Sequence, residues 1–179
     1  WAGVPVFHRH HVASVHGGDK VETVELTPIN KNGAPLPNKK NKKFFSDSLI
    51  VGHGLVPSLE ITRLLKAKHS YHPERGGWVP EVDQFQRTSV PSLYVAGDCG
   101  GISGAETAVL SGTIAGLQIS FDAGALSESV FNSLYKKVKH KKNRAQRFGR
   151  QMGKLMSIRP GLLDVLMPDT VICRCEDIT

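Results

Sequence analysis

The 179 residues contain no run of about 18 apolar side chains, so no segment is expected to cross a bilayer as a helix. Only three cysteines are present, Cys99, Cys173 and Cys175. That is too few for a disulfide framework, and the expected compartment is reducing and cytoplasmic. An initiator methionine and a signal-like opening are also missing, as expected of a fragment or a processed chain. The motif Gly-x-Gly-x-x-Gly, whose amides cradle a pyrophosphate, does not occur. Its nearest approach, Gly52-x-Gly54, has Pro57 at the third glycine position. Finally, acidic residues are absent from Val130 to Leu163, so the net charge of +7 is concentrated rather than spread.

The remaining composition, with 40% hydrophobic residues, is enough for one core or for pieces of two. Residues Val4 to Val15 read as a strand carrying His8, His10 and His11, with His16 beyond. A metal pair at His8-x-His10 is the minor reading, because no carboxylate or thiol stands nearby. Gly17-Gly18-Asp19-Lys20 is a hairpin connection to a second strand that ends at Pro28. Lys39, Lys40, Lys42 and Lys43 lie in a polar loop that lacks arginine and aromatic partners. It reads as solvated surface, and nucleic acid is not the expected partner. A strand over Phe44–Gly52 follows, then a short amphipathic helix over Leu59–Leu65. Gly76 to Asp83 forms a hairpin-like approach to Thr88, with Trp78 as a packing residue.

The most informative stretch is Thr88 to Gly116. The run Leu93–Ala96 is too short for a helix and is flanked by turn residues, which predicts a buried strand. Gly97-Asp98 ends it, and a loop with Gly100, Gly101 and Gly104 leads into a helix. On that helix Ala108, Gly112, Ala115 and Gly116 make one face nearly bare, able to lie close to a strand or a cofactor. A carboxylate beside a glycine turn and a helix start suits a ligand with sugar hydroxyls and an anionic end. The alternative is a plain turn and helix cap.

Thr88, Pro91, Tyr94, Val95, Ala96, Gly97 and Asp98 together resemble the second flavin-binding signature of two-dinucleotide-domain flavoproteins. The resemblance implies a partial FAD/NAD(P)-binding Rossmann-like α/β fold with a β-hairpin segment and C-terminal helices. It further implies that Gly97 and Asp98 meet the ribityl chain of FAD, and that Gly104, Ala105 and Glu106 face the pyrimidine edge of its ring. Gly52-x-Gly54-x-x-Pro57 resembles the point in those proteins where the chain crosses from the nicotinamide-type domain back to the flavin domain. No residue nominates itself as catalytic. Glu106 could approach the flavin, but its main reading is a first-turn carboxylate favoured by the helix dipole, and His53 is a loop histidine.

A helix beginning at Ser127 carries the acid-free basic run on an apolar stripe that includes Val130, Leu134 and Val138. It reads as a docking helix, with an anionic-surface binder as the alternative. The ending, Cys173-Arg174-Cys175-Glu176, resembles the start of the small [2Fe–2S] module of bacterioferritin-associated ferredoxin. That implies Cys173 and Cys175 as half of a ligand set, unoccupied unless a longer chain brings two more thiolates.

Taken in order, these features resemble the C-terminal half of the FAD-containing α subunits of opine oxidase, hydrogen cyanide synthase and D-hydroxyproline or dye-linked proline dehydrogenase. Such enzymes oxidise an amino acid or amine C–N bond by hydride transfer to flavin, usually with a β subunit. The segments implied are 1–55 as the end of a nicotinamide-type domain, 56–127 as the returning part of the FAD domain, 128–168 as a basic helical segment and 169–179 as the start of the iron–sulfur module. The expected partner is the missing N-terminal half or another subunit, and FAD binding by this chain alone is expected to be weak or absent. Two rival readings are a disulfide or ferredoxin reductase-type NAD(P)H:flavin oxidoreductase and a non-catalytic module binding through the basic helix.

Overall fold

The computed structural model describes residues 3–172, 175–176 and 178–179. Contacts divide the chain into two compact units, Trp1–Gly52 with Ile158–Thr179, and His53–Ser157.

The first unit is built on an antiparallel sheet in the order β1 (His10–His16), β2 (Thr23–Pro28) and β3 (Lys42–Phe45). Six residues, 17–22, connect β1 to β2, and the Glu22 N–H closes the turn onto the His16 carbonyl at 2.9 Å. The central strand β2 buries Thr23, Val24 and Thr27. Phe7 packs on Phe44 at 5.1 Å between ring centroids, with the Lys42 ammonium over the Phe7 ring. A turn of 3₁₀ helix, Pro160–Val165, docks where Gly161 meets Asn32 and Ala34, a closeness that only a residue without Cβ permits.

The strand expected over Phe44–Gly52 is shorter and starts earlier. Lys42 and Lys43, expected in a loop, pair with Leu26 and Glu25, and the ladder ends at Phe45. Ser46 then turns the chain by donating its hydroxyl to the Ser48 carbonyl at 2.6 Å. Ile50 is left 96% exposed. The Leu49-Ile50-Val51 run has strand character only beside a neighbouring strand, and among the described residues none pairs with it.

The second unit contains a short α1 (Glu60–Leu64), a hairpin of β4 (His69–His72) and β5 (Gly77–Pro80), and two long helices, α2 (Ala105–Asp122) and α3 (Glu128–Met156). Tyr71 and Trp78 face each other across the hairpin at 5.6 Å, so Trp78 packs on a neighbour although it stays half exposed. Val79, Val95, Ile114 and Phe131 form the core. Phe131 of α3 stacks on Phe121 of α2 at 4.8 Å and lies close to Phe85 and Tyr135, which joins the two helices at one end.

Two expectations are corrected here. The predicted buried strand at Leu93–Ala96 is reduced to a single bridge, Tyr94 to Arg87, with the Val95 N–H donating to the Gln86 carbonyl at 3.0 Å. Val95 is buried as expected, but all the ladders among the described residues are antiparallel and none includes this run. The bare face of α2 is packed only in part. Gly112 and Gly116 are exposed, and a Cβ at either would meet nothing. The helix buries Thr107, Ser111, Ile114 and Gln118 and, of the four residues of the bare face, Ala115.

The far end of α2 is tied to the bridged segment by one carboxylate. Asp122 accepts two hydrogen bonds from Arg87 (2.7 and 2.9 Å), one from the Tyr94 hydroxyl (2.6 Å) and one from Gln118 (2.9 Å). These donors, Arg87 first, hold its pKa down from 3.8 to about 2. A carboxyl whose pKa is depressed on folding adds stability above its unfolded value and loses it as pH falls through the folded one. The melting-temperature gap between wild type and Asp122→Asn should therefore be full at neutral pH and close as pH drops from 3.8 towards 2. The network is exposed, so water and salt keep the gap modest. A gap that persists unchanged at the acid end would contradict this assignment.

Candidate functional site

Two pieces of the second unit, the turn Pro73–Arg75 and α3, converge on the loop between Tyr94 and α2. Gly97 (φ 81°, ψ −159°) and Gly104 (φ 89°, ψ 155°) bracket that loop, both in backbone conformations open essentially only to glycine. Gly97 turns the chain into a single 3₁₀ turn, Asp98–Gly100, and Gly104 turns it again to start α2. No side chain caps α2, so the amides of its first turn are not satisfied by a cap.

The loop is held from one side by the turn Pro73–Arg75. Arg75 donates from its guanidinium to the Gly100 carbonyl, and its own carbonyl accepts from the Ile102 N–H at 3.0 Å. Gly101 (φ 114°) lies flat against that guanidinium, where a Cβ would come within 2.6 Å of Nε. From the other side comes α3. Gly149 passes the Ser103 carbonyl and Gly153 passes the Glu74 carbonyl so closely that neither position has room for a Cβ.

Two adjoining cavities result. The smaller, about 270 Å³, is polar and is lined by Asp98, Arg75, Gln86 and Lys142 among others. The larger, about 660 Å³, lies at the start of α2 between Gly104, Ala105, Glu106, Lys141, Arg144 and Phe148. Ser103 and Thr107 line both. The structure thus brings Gly97 and Asp98 to one cavity, and Gly104, Ala105 and Glu106 to its neighbour. Asp98 is exposed at the rim, and Glu106 is exposed in the first turn of the helix. Sequence reasoning missed Arg75, Thr107 and Lys142. Lys142 is one of many cations in α3, and only its burial and its place in the cavity lining show that it turns inwards.

The donor set suits a ligand with hydroxyls and negative charge. The Thr107 hydroxyl is buried with no hydrogen-bond partner. Burial pushes the Arg75 guanidinium and the Lys142 ammonium below their ordinary pKa values, and at Lys142 the charge of Arg75 adds to that effect. Cys99 donates to the Ala96 carbonyl at 3.0 Å and is half-buried.

The other candidates stand apart. Among the described residues no cluster of three or more His, Cys, Asp or Glu side chains could hold a metal ion. His10 bonds the His8 carbonyl, His16 bonds Ser14, and burial lowers the pKa of His11. Cys175 is exposed, and Cys173, its partner in the implied ligand pair, lies outside the described residues. Among the described residues no helix is long and apolar enough to cross a membrane.

No solved structure matches the chain significantly. The HcnB subunit of hydrogen cyanide synthase from Pseudomonas protegens is 28% identical over 99% of this chain and 37% of its own length. An opine oxidase subunit from Rhizobium meliloti is 33% identical over 93% of this chain and 30% of its own length. HcnB of Pseudomonas aeruginosa is 27% identical, with 99% and 38% covered. The chain therefore spans about a third of the length of the curated relatives it matches. A family model for pyridine nucleotide-disulphide oxidoreductases matches residues 2–112, and the two bracketing glycines and Asp98 all fall inside that span. With more than half of its length matched, the chain belongs to the pyridine nucleotide-disulphide oxidoreductase family, an FAD-binding family of Rossmann-like α/β fold.

Proposed function

We propose that this chain is the flavin-closing part of an FAD-dependent oxidoreductase that oxidises an amino acid or amine C–N bond. Asp98, exposed at the rim of a polar cavity and next to a glycine-only turn, is the observation that carries the reading. Its carboxylate would accept hydrogen bonds from the ribityl hydroxyls of FAD. Gly97 gives the close approach, and the uncapped amides of Gly104, Ala105 and Glu106 would face the electron-poor edge of the ring. When bound, FAD supplies the two-electron acceptor for a hydride leaving the carbon of the C–N bond. The residues of this chain position that acceptor and leave the substrate to other parts of the enzyme.

The substrate class is supported by relatives named as an opine oxidase and a hydrogen cyanide synthase, both of them subunits. A partner protein or a further length of chain would bring the Gly-x-Gly-x-x-Gly element and the substrate site. Cys173 and Cys175 would contribute two thiolates to a [2Fe–2S] cluster only where two more are supplied. The reductase-type reading shares the flavin site but gives no role to this cysteine pair.

Without a pyrophosphate-binding glycine motif, these residues hold only one end of the cofactor. Mixed with excess FAD and passed through a desalting column, the 179-residue chain is expected to emerge colourless. Flavin absorbance at a one-to-one ratio after desalting would contradict that expectation.

A further inference from the structure

The segment that carries Asp98 is held from behind by one buried residue. Both main-chain polar groups of Val95 end on Gln86. The Val95 N–H donates to the Gln86 carbonyl at 3.0 Å, and the Val95 carbonyl accepts from the Gln86 side-chain nitrogen at 3.2 Å. The side-chain oxygen of Gln86 in turn accepts from the Lys142 ammonium at 2.8 Å. An ammonium only donates and a carbonyl only accepts, so these two neighbours fix which way the Gln86 amide faces. Gln86 is 5% exposed and Val95 4%, which leaves water little access to either contact. Gln86 also holds φ at 69°, a left-handed conformation that its surroundings must maintain.

The turn that presents Gln86 is itself fixed. Asp83 accepts from the Phe85 and Arg87 N–H groups at 2.8 and 2.9 Å, and the Gln86 N–H donates to the Asp83 carbonyl at 3.1 Å. Beyond Val95 the chain has no slack. The Cys99 thiol bonds the Ala96 carbonyl at 3.0 Å, and the Gly100 and Gly101 N–H groups bond the carbonyls of Gly97 and Asp98 at 3.0 and 2.9 Å. A displacement of Val95 is therefore passed on to Asp98. Lys142 is the cation of α3 that reaches this assembly. Lys141, Asn143 and Arg144 beside it are exposed, whereas Lys142 is half-buried and enters none of the ion pairs among the described residues.

We propose that Lys142 is a positioning residue for Asp98: acting through the buried Gln86 amide, it ties α3 to Val95 and so sets where the carboxylate meets a ribityl hydroxyl. The inference rests on the flavin reading given above and adds to it a part for α3, which touches the cofactor through none of these three contacts. Lys142 holds Gln86, Gln86 holds Val95, and the hydrogen-bonded turn after Val95 carries the constraint to the carboxylate.

The test on the 179-residue chain has one arm without ligand and one with it. Without ligand, Lys142→Met, which keeps the aliphatic stem, is expected to shift the amide resonances of Val95, Gly97 and Asp98. Gln86→Met, which breaks the bridge at its other end, should shift the same amides, and Lys136→Met, exposed on the same helix, should leave them in place. In the second arm the protein is titrated into dilute riboflavin or FMN. Lys142→Met should weaken the binding of both by about three- to tenfold, the net effect of about one hydrogen bond. In an Asp98→Ala background it should weaken neither further, because the effect runs through that carboxylate. Unmoved Val95, Gly97 and Asp98 amides in Lys142→Met and Gln86→Met would overturn the positioning role. So would a lowered melting temperature with flavin affinity unchanged, a loss confined to FMN, which marks a direct contact with its phosphate, or a loss that persists in full beside Asp98→Ala. Wild type that binds neither flavin while the Lys142→Met amides do shift would instead overturn the flavin reading, and with it the purpose assigned to the tether.

Discussion

Replacing Gly149 and Gly153 together by alanine is expected to lower the melting temperature by about 4–8 °C, although glycine to alanine normally stabilises a helix interior. Propensity alone favours the change by about 1 kcal/mol at each position. Against it stand the Ser103 and Glu74 carbonyls, which occupy the space each new methyl would need. Overpacking of backbone against backbone costs about 1–3 kcal/mol at each site, because neither side is the free end of a flexible side chain. The two effects leave a net loss of about 2 kcal/mol for the pair, and for a chain of this size that shifts the melting temperature by the stated amount. Gly112→Ala is the internal control: it is exposed with open space around it, so the same substitution should stabilise. A double variant that melts at or above wild type would mean that α3 does not lie against the loop as described.

Asp98→Ala is expected to weaken flavin binding by about ten- to a hundredfold. Hydrogen bonds to a charged acceptor contribute about 1.5–3 kcal/mol, and about 1.4 kcal/mol corresponds to each factor of ten. The Asp98 side chain caps no helix and closes no ion pair among the described residues, so its loss should leave the fold intact. Fluorescence titration with FMN would read the affinity, and a thermal melt would show the stability unchanged. Equal affinities in wild type and variant would leave the carboxylate as a plain turn residue.

How far this architecture could be read in advance depended on how local its causes are. The helix α2 was announced by Gly104 before it and Gly124 after it, and α3 by Ser127 at its cap position. These are signals carried by neighbours in the chain. The β1–β2 hairpin was equally local, set by the glycine pair and by alternation on either side. Leu93–Ala96 and Leu49–Val51 were not local in that sense. Each reads as a strand because it is apolar and short, yet strand pairing is decided by what lies alongside. The first found one bridge and the second none among the described residues.

The candidate site divides along the same line. Gly97, Asp98 and Gly104 were legible because backbone conformation demands glycine at the two ends and leaves the carboxylate between them. Arg75 and Lys142 were not. One stands in the turn of a hairpin and the other in a run of cations, separated by most of the second unit, and only the tertiary packing brings them to one cavity.

The central claim, that the loop from Gly97 to Gly104 and the first turn of α2 form one wall of a flavin site, is tested most directly by following backbone amide resonances while FMN is added. The account predicts saturable shifts at Gly97 through Thr107, with those shifts lost in Asp98→Ala. Shifts confined to the exposed lysines and arginines of α3, or spread over the β1–β3 sheet with the 97–107 amides unmoved, would contradict it.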